Sequence, residues 1–325
     1  MTRYILGRLL ALFFVLLIVS AIVFTLMNQV PGGPFSLGER GYSPDAQANL
    51  ERKYGLDKPL ITRYFMWMWN ILRYGDFGRS FDLGKPVSEV IGERIALTMV
   101  ISLFSLLFVW AVAIPIGIYS AVRQYSPFDY GFTFLGFIGL AVPNFLLALS
   151  LVYISFAYFD HPITGLFSPE YLDAPWSWLK VRDMLGRIWL PVIVIGMGGT
   201  ASLIRITRGT LLDELRKPYV MTARAKGVVE RKLLLKYPVR IAINPLISTI
   251  GWLLPSLVSG TAITAIVLNL PTMGPVLLQA LLAQDMYLAG SFLLILSALT
   301  MVGTLLSDIL LAVVDPRIRY GGISE

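Results

Sequence analysis

Long uncharged apolar runs alternate with short polar stretches along this chain. Leu9 to Met27, Ile95 to Val122, Gly131 to Phe159, Ile188 to Ile204 and Met286 to Ser307 contain no charged residue, and Ile241 to Gln284 has none either. The runs are apolar all round, without the one-sided period of a soluble helix. Several reach the roughly 20 residues that cross a bilayer core as a helix. The pattern predicts an all-α integral membrane protein.

The polar stretches set the topology. Arg3 and Arg8 precede the first run, which exceeds a secretory signal core, and Met27 to Pro31 offers no small-x-small cleavage site. It is expected to stay as a first span with a cytoplasmic N-terminus. Residues 31–94 read as an external insert. Pro31-Gly32-Gly33-Pro34 stops the span, and Ser43-Pro44-Asp45 opens a short helix. Tyr54 to Leu60 makes a turn, and Ile61 to Tyr74 forms an aromatic helix lying at the interface with Trp67 and Trp69. Gly75 to Phe81 ends the insert.

The next two runs are joined by a short link and form an antiparallel pair, kinked by Pro115 and Pro143. Asp160 to Arg187 reads as an external mixed-charge loop. Arg205 to Arg240 holds ten Lys and Arg against Asp213, Glu214 and Glu230, which places it in the cytoplasm. The uncharged run from Ile241 is about twice too long for one crossing. Pro271-Thr272-Met273-Gly274-Pro275 divides it into a fifth span to about Leu268 and a short external apolar helix. A last span leads to Asp315-Pro316-Arg317-Ile318-Arg319 in the cytoplasm. The expected plan is six spans with both termini cytoplasmic: first helix 1–30, insert 31–94, and a five-helix core 95–325 carrying the loop 205–240.

Composition narrows the function. The net charge of +7 sits in loops at span ends, so topology explains it and nucleic-acid binding does not. The chain has no cysteine and a single histidine, His161, which excludes thiolate metal sites and His-based triads. There is no GxxxxGK[ST] phosphate loop and no convincing set of paired carboxylates, so neither an ATPase nor another enzyme is expected. Gly196, Gly198 and Gly199 lie inside a span and suit close helix packing.

The basic segment is the most distinctive. Ala223, Ala225 and Gly227 are small enough for a helix to approach a partner closely, and Gly227 can supply a left-handed turn. Arg224, Lys226, Arg231 and Lys232 can pair with acidic groups or with lipid phosphates. Thr222-Ala223-Arg224-Ala225-Lys226-Gly227, with Arg240 and Pro245 downstream, resembles the cytoplasmic coupling loop of ABC importer permeases of the dipeptide/oligopeptide/nickel family. The likeness is to the first, scoop-bearing permease type and extends over nearly the whole chain. Pro31-Gly32-Gly33-Pro34, Tyr54 to Pro59, Gly75 to Ser80 and Asp315 to Arg319 are similar to family segments in the same order. Tyr237, Ile241 and Asn244 depart from it, as do Pro271-Thr272-Met273-Gly274 and Gln284-Asp285-Met286-Tyr287.

The resemblance implies a multi-pass permease subunit of an ATP-driven importer in the cell inner membrane, moving di- and oligopeptides or solutes of similar size. It implies a homologous second permease, two ABC ATPase subunits that use ATP and Mg, an extracytoplasmic solute-binding protein, and surrounding lipids. No cofactor is expected on this chain. Tyr219, Thr222, Ala223, Arg224, Ala225, Lys226, Gly227, Arg240 and Pro245 are the implied coupling residues. For the pathway, intramembrane polarity nominates Asn144, Ser256, Ser259, Thr264 and Asp308. Two alternatives stand: a secondary transporter or channel working alone, or a permease of the same family for oligosaccharides or nickel chelates.

Overall fold

The computed structural model describes residues 2–29, 52, 57–159, 164–172, 174–259 and 262–314. These form α1 (Thr2–Gln29), α2 (Leu60–Tyr74), α3 (Val87–Val122), α4 (Pro127–Ala141), α5 (Asn144–Phe159), α6 (Trp178–Arg187) and α7 (Trp189–Leu215). Then follow α8 (Pro218–Ala225), α9 (Glu230–Lys236), α10 (Pro238–Ala242), α11 (Asn244–Ser259), α12 (Ala262–Val267), α13 (Met273–Leu282) and α14 (Met286–Val314). The expected all-α membrane architecture is what the described residues build. Leu6–Gln29, α3, α7 and Met286–Leu311 are each long and apolar enough to cross a membrane, and α4 with α5 makes a fifth crossing if counted as one. The expectations for Pro31 to Pro34, Ser43 to Asp45, Tyr54 to Leu56 and Asp315 to Arg319 lie outside the described residues.

Four boundaries differ from the sequence reading. The run Gly131 to Phe159 is not one rod: α4 and α5 meet at a bend of 101°. Pro143 disfavours a helical conformation at Val142, which is extended at φ −86 and ψ 119. Pro115, by contrast, stays inside an unbroken α3. That helix begins at Val87, well before the charge-free run, because its first turns bury Val87, Val90 and Ile91 against Met273, Leu288 and Phe292. Likewise α7 continues past Ile204 to Leu215, so the start of the basic segment is a helical extension of a span. The expected external loop before α7 contains α6, capped by Ser177, whose hydroxyl accepts the Lys180 N–H at 3.3 Å.

The chain divides into two compact units. One comprises residues 2–99 and 271–301. Here α2 lies against α1: Trp67 stacks on Phe24 with ring centroids 5.3 Å apart, and Tyr64 and Ser20 share a hydrogen bond of 2.7 Å. Trp67 is buried while Trp69, Phe65 and Ile61 are exposed, so the helix carries large apolar side chains outward as well as inward. After α2 the chain folds back on a buried carboxylate. Asp285 accepts the Ser80 hydroxyl at 2.6 Å and the Asp82 amide at 3.1 Å, and also caps α14 through the Leu288 amide at 3.1 Å.

The other unit comprises residues 100–270 and 302 onward. At its centre α7 is packed by α4, α5, α10 and α11. Small residues set the approach. A Cβ on Gly117 would lie 2.6 Å from the Thr207 Cβ, and one on Gly196 would lie 2.8 Å from the Phe108 ring, so only glycine fits without displacement. Ser307 of α14 donates to the Ile247 carbonyl of α11 at 3.0 Å, giving a buried hydroxyl a backbone partner.

Candidate functional site

The basic segment folds as a helical hairpin. Pro218 starts α8 at a position where a missing N–H costs nothing. The helix ends in a full Schellman motif. The Gly227 amide donates to the Arg224 carbonyl at 3.0 Å and the Val228 amide donates to the Ala223 carbonyl at 3.3 Å. Gly227 takes φ +76, the left-handed region that disfavours any residue with a Cβ. The chain then reverses into α9, and Val220, Ala223 and Leu233 form a small buried core closed by Tyr219, Val228 and Tyr237.

That core decides which side chains face outward. Ala223 is only 8% exposed and packs on Leu233, so its small size serves the hairpin itself and not a partner's approach. Thr222, Arg224, Ala225 and Lys226 are exposed. Met221 and Val229 are exposed as well, at 62% and 72%, which places apolar side chains among basic ones. Arg224 grips Glu230 through both arms of its guanidinium, at 2.6 and 3.2 Å. This hydrogen-bonded pair holds Glu230 below the ordinary carboxylate range and raises Arg224. On a fully exposed surface such a pair orients side chains more than it stabilises the fold. Tyr219 donates to Glu214 at 2.5 Å, and burial together with that carboxylate pushes its phenol well above the usual range.

The hairpin is fixed to the membrane helices at both ends. On the entry side, Lys217 N–H bonds back to the Glu214 carbonyl at 3.1 Å, joining α8 to the end of α7 with hardly any slack. On the exit side, Val239 and Ala242 of α10 pack on Leu211 of α7 and Ala121 of α3. Thr210 also reaches the Ala242 carbonyl at 3.3 Å. Arg240 is exposed on α10, and Pro245 is exposed in the first turn of α11. They therefore belong to the exit connection and not to the tip.

A second fixed point lies beside it. Arg208 of α7 pairs in fork geometry with Asp129 at the start of α4, both contacts at 3.1 Å. Asp129 is 2% exposed and accepts the Tyr125 amide at 2.9 Å as well. Neither residue stands out in the sequence, because they are distant in the chain and each lies in a link of mixed polarity. The same holds for Glu214 and Glu230, which a charge count treats only as acids.

The pathway candidates are not gathered near this hairpin. Asn144 opens α5 at the break, with its side-chain oxygen 3.5 Å from where a Cβ on Gly198 would sit. Ser256 is exposed on α11, Thr264 is buried in α12, and Asp308 is half-buried on α14. The side chain of Ser259 lies outside the described residues. In the other unit, Arg63, Trp67, Asn70, Asp76 and Tyr287 surround a cavity of about 120 Å³ on the insert. Among the described residues no cluster of His, Cys, Asp or Glu could hold a metal ion.

Comparison with known proteins gives consistent matches. Residues 113–320 match the model of the binding-protein-dependent transport system inner membrane component, and residues 1–103 match its N-terminal companion. The oligopeptide transport system permease protein AppB of Bacillus subtilis (strain 168) is 35% identical over 323 residues, covering 98% of this chain and 100% of that protein. The oligopeptide transport system permease protein OppB of Escherichia coli (strain K12) is 30% identical over 321 residues, covering 98% and 100%. The inner membrane ABC transporter permease protein YejB of Escherichia coli O157:H7 is 34% identical over 289 residues, covering 88% and 79%.

Proposed function

The chain belongs to the family of binding-protein-dependent transport system inner membrane components, and from that premise we propose that it couples ATP hydrolysis by partner subunits to peptide import. It is a multi-pass permease subunit of an ABC importer in the inner membrane, and such subunits are not themselves catalytic. Di- and oligopeptides are the cargo, a reading supported by the relatives named as oligopeptide permeases. A homologous permease completes the pathway, two ABC ATPases use ATP and Mg, and an extracytoplasmic binding protein delivers the cargo.

The observation that supports coupling most directly is the rigid hairpin of α8 and α9. Its tip offers apolar Met221 and Val229 within a basic rim of Arg224 and Lys226, the anatomy of a protein-binding patch. Its base runs into α7 on one side and through α10 into α11 on the other. A cleft closing on the tip would pull on membrane helices through short, hydrogen-bonded connections. The insert cavity around Arg63 and Asp76 offers charges of both signs, which suits contact with zwitterionic cargo or its carrier.

Affinity purification of the tagged chain from native membranes tests this reading. A second permease, two ABC ATPases and a binding protein should be recovered. Recovery of the chain alone after mild crosslinking would favour a transporter working by itself. Competition of labelled-peptide uptake by oligosaccharides or nickel chelates, with no competition by unlabelled peptides, would overturn the cargo assignment.

A further inference from the structure

A cavity of about 380 Å³ lies between α4 and α7, beside the Asp129–Arg208 pair. Its walls are Phe132, Phe137, Leu140 and Ile204, and Tyr125, Tyr130 and Arg205 stand with that pair at its polar end. From this geometry we propose that the cavity binds one anionic phospholipid of the cytoplasmic leaflet.

Charge comes first. Arg208 is engaged by Asp129 through both arms, whereas Arg205, one turn earlier on the same face of α7, is exposed and has no ion-pair partner among the described residues. Two guanidiniums and one carboxylate leave the polar end with a single net positive charge. It adjoins the basic segment and therefore the cytoplasmic headgroup region, where an exposed arginine attracts anionic lipid.

Length is the second argument. The apolar wall runs up α4 from Tyr130 to Leu140, about 15 Å at the rise of an α-helix. That is half of a hydrocarbon core of roughly 30 Å, hence the depth of one leaflet. A free phosphate would satisfy Arg205 and leave this wall bare; a phospholipid matches both parts. Phe137 and Leu140 are exposed, so an acyl chain can lie along them from the bilayer side.

The polar end is also conformationally set. Tyr125 holds φ 65, a left-handed conformation that is costly for an aromatic residue, and the Asp129 carboxylate secures it by accepting its amide. The result brings the rings of Tyr125 and Tyr130 to 6.5 Å, with both residues lining the cavity. Behind them Gly136 keeps the space open, because a Cβ there would only just reach Ala201, at 3.8 Å.

The test is native mass spectrometry of the full-length chain, with its co-purifying subunits, from nanodiscs of phosphatidylglycerol or phosphatidylcholine. The wild type should retain one phosphatidylglycerol per chain in preference to phosphatidylcholine, and excess inorganic phosphate should not displace it. Arg205→Gln should reduce retention about fivefold, the effect of one basic residue near a lipid surface, while Arg205→Lys retains it. Gly136→Leu fills the cavity and should abolish retention; if that variant does not assemble, the Arg205 pair decides. Equal retention of the two lipids, displacement by phosphate, or no effect of Arg205→Gln would overturn the proposal. So would a photo-crosslinker at Phe137 that captures the second permease in place of lipid.

Discussion

Gly227 shows how a single backbone angle controls the hairpin. Nothing lies within 4 Å of a Cβ built there, so space does not select glycine; the φ of +76 does. Residues then separate by their tolerance of the left-handed region and not by their size. Gly227→Asn should leave ATP-driven uptake near normal, since Asn visits this conformation readily. Gly227→Val should cost about 1–2 kcal/mol locally and lower uptake severely, with the chain still inserted in the membrane. Uptake into right-side-out vesicles loaded with ATP measures this, and equal uptake by the two variants would remove the turn from the mechanism. Ala223 teaches the complementary lesson, because a small residue in a partner-facing motif is here a core residue of the motif itself.

At the scale of elements, a few side chains fix short helices to loops. Asp183 on α6 accepts the Ser168 amide at 2.7 Å and the Ser168 hydroxyl at 2.6 Å, and lies 3.6 Å from Arg187. Burial by itself would raise its pKa, but the Ser168 hydrogen bonds and Arg187 outweigh it and leave the carboxyl below its ordinary range. A lowered pKa means that the stabilisation is complete above the unfolded value of about 3.9 and is lost as pH falls through the folded one. Protection of the Ser168 amide from hydrogen exchange, taken relative to its intrinsic rate, should therefore be high at neutral pH and fall below about pH 4. Asp183→Asn should remove that protection already at pH 7. Unchanged protection in that variant would show that the carboxylate does not hold the loop. Lys180 secures the same region, donating to the Leu172 and Ala174 carbonyls at 3.2 and 2.6 Å beneath the Phe167 and Trp176 rings.

For the whole molecule, orientation follows from where the basic residues lie, and the absence of cysteine makes it easy to check. A cysteine at Trp178, which is 76% exposed on α6, should react with a membrane-impermeant maleimide applied to intact cells. A cysteine at Lys232, exposed on α9, should react only after permeabilisation. The opposite pattern would invert the topology and move the hairpin away from any cytoplasmic ATPase.

Much of this architecture is determined by sequence alone. Uncharged runs long enough for a bilayer must become helices, because lipid offers no partner for a backbone amide. The basic excess of Arg205 to Arg240 likewise marks its side of the membrane. The motif around Gly227 was legible because its turn depends on local backbone conformation. Other features needed the tertiary structure, since they depend on residues distant in the chain. Hydropathy does not register the break at Pro143, as both halves are equally apolar. No local pattern pairs Asp129 with Arg208, or brings Ser80 to Asp285 across 205 positions. The inward face of Ala223 exists only once Leu233 has folded over it. Composition and spacing set which segments are apolar enough to enter a membrane; packing set which side chains each segment has left to offer a partner.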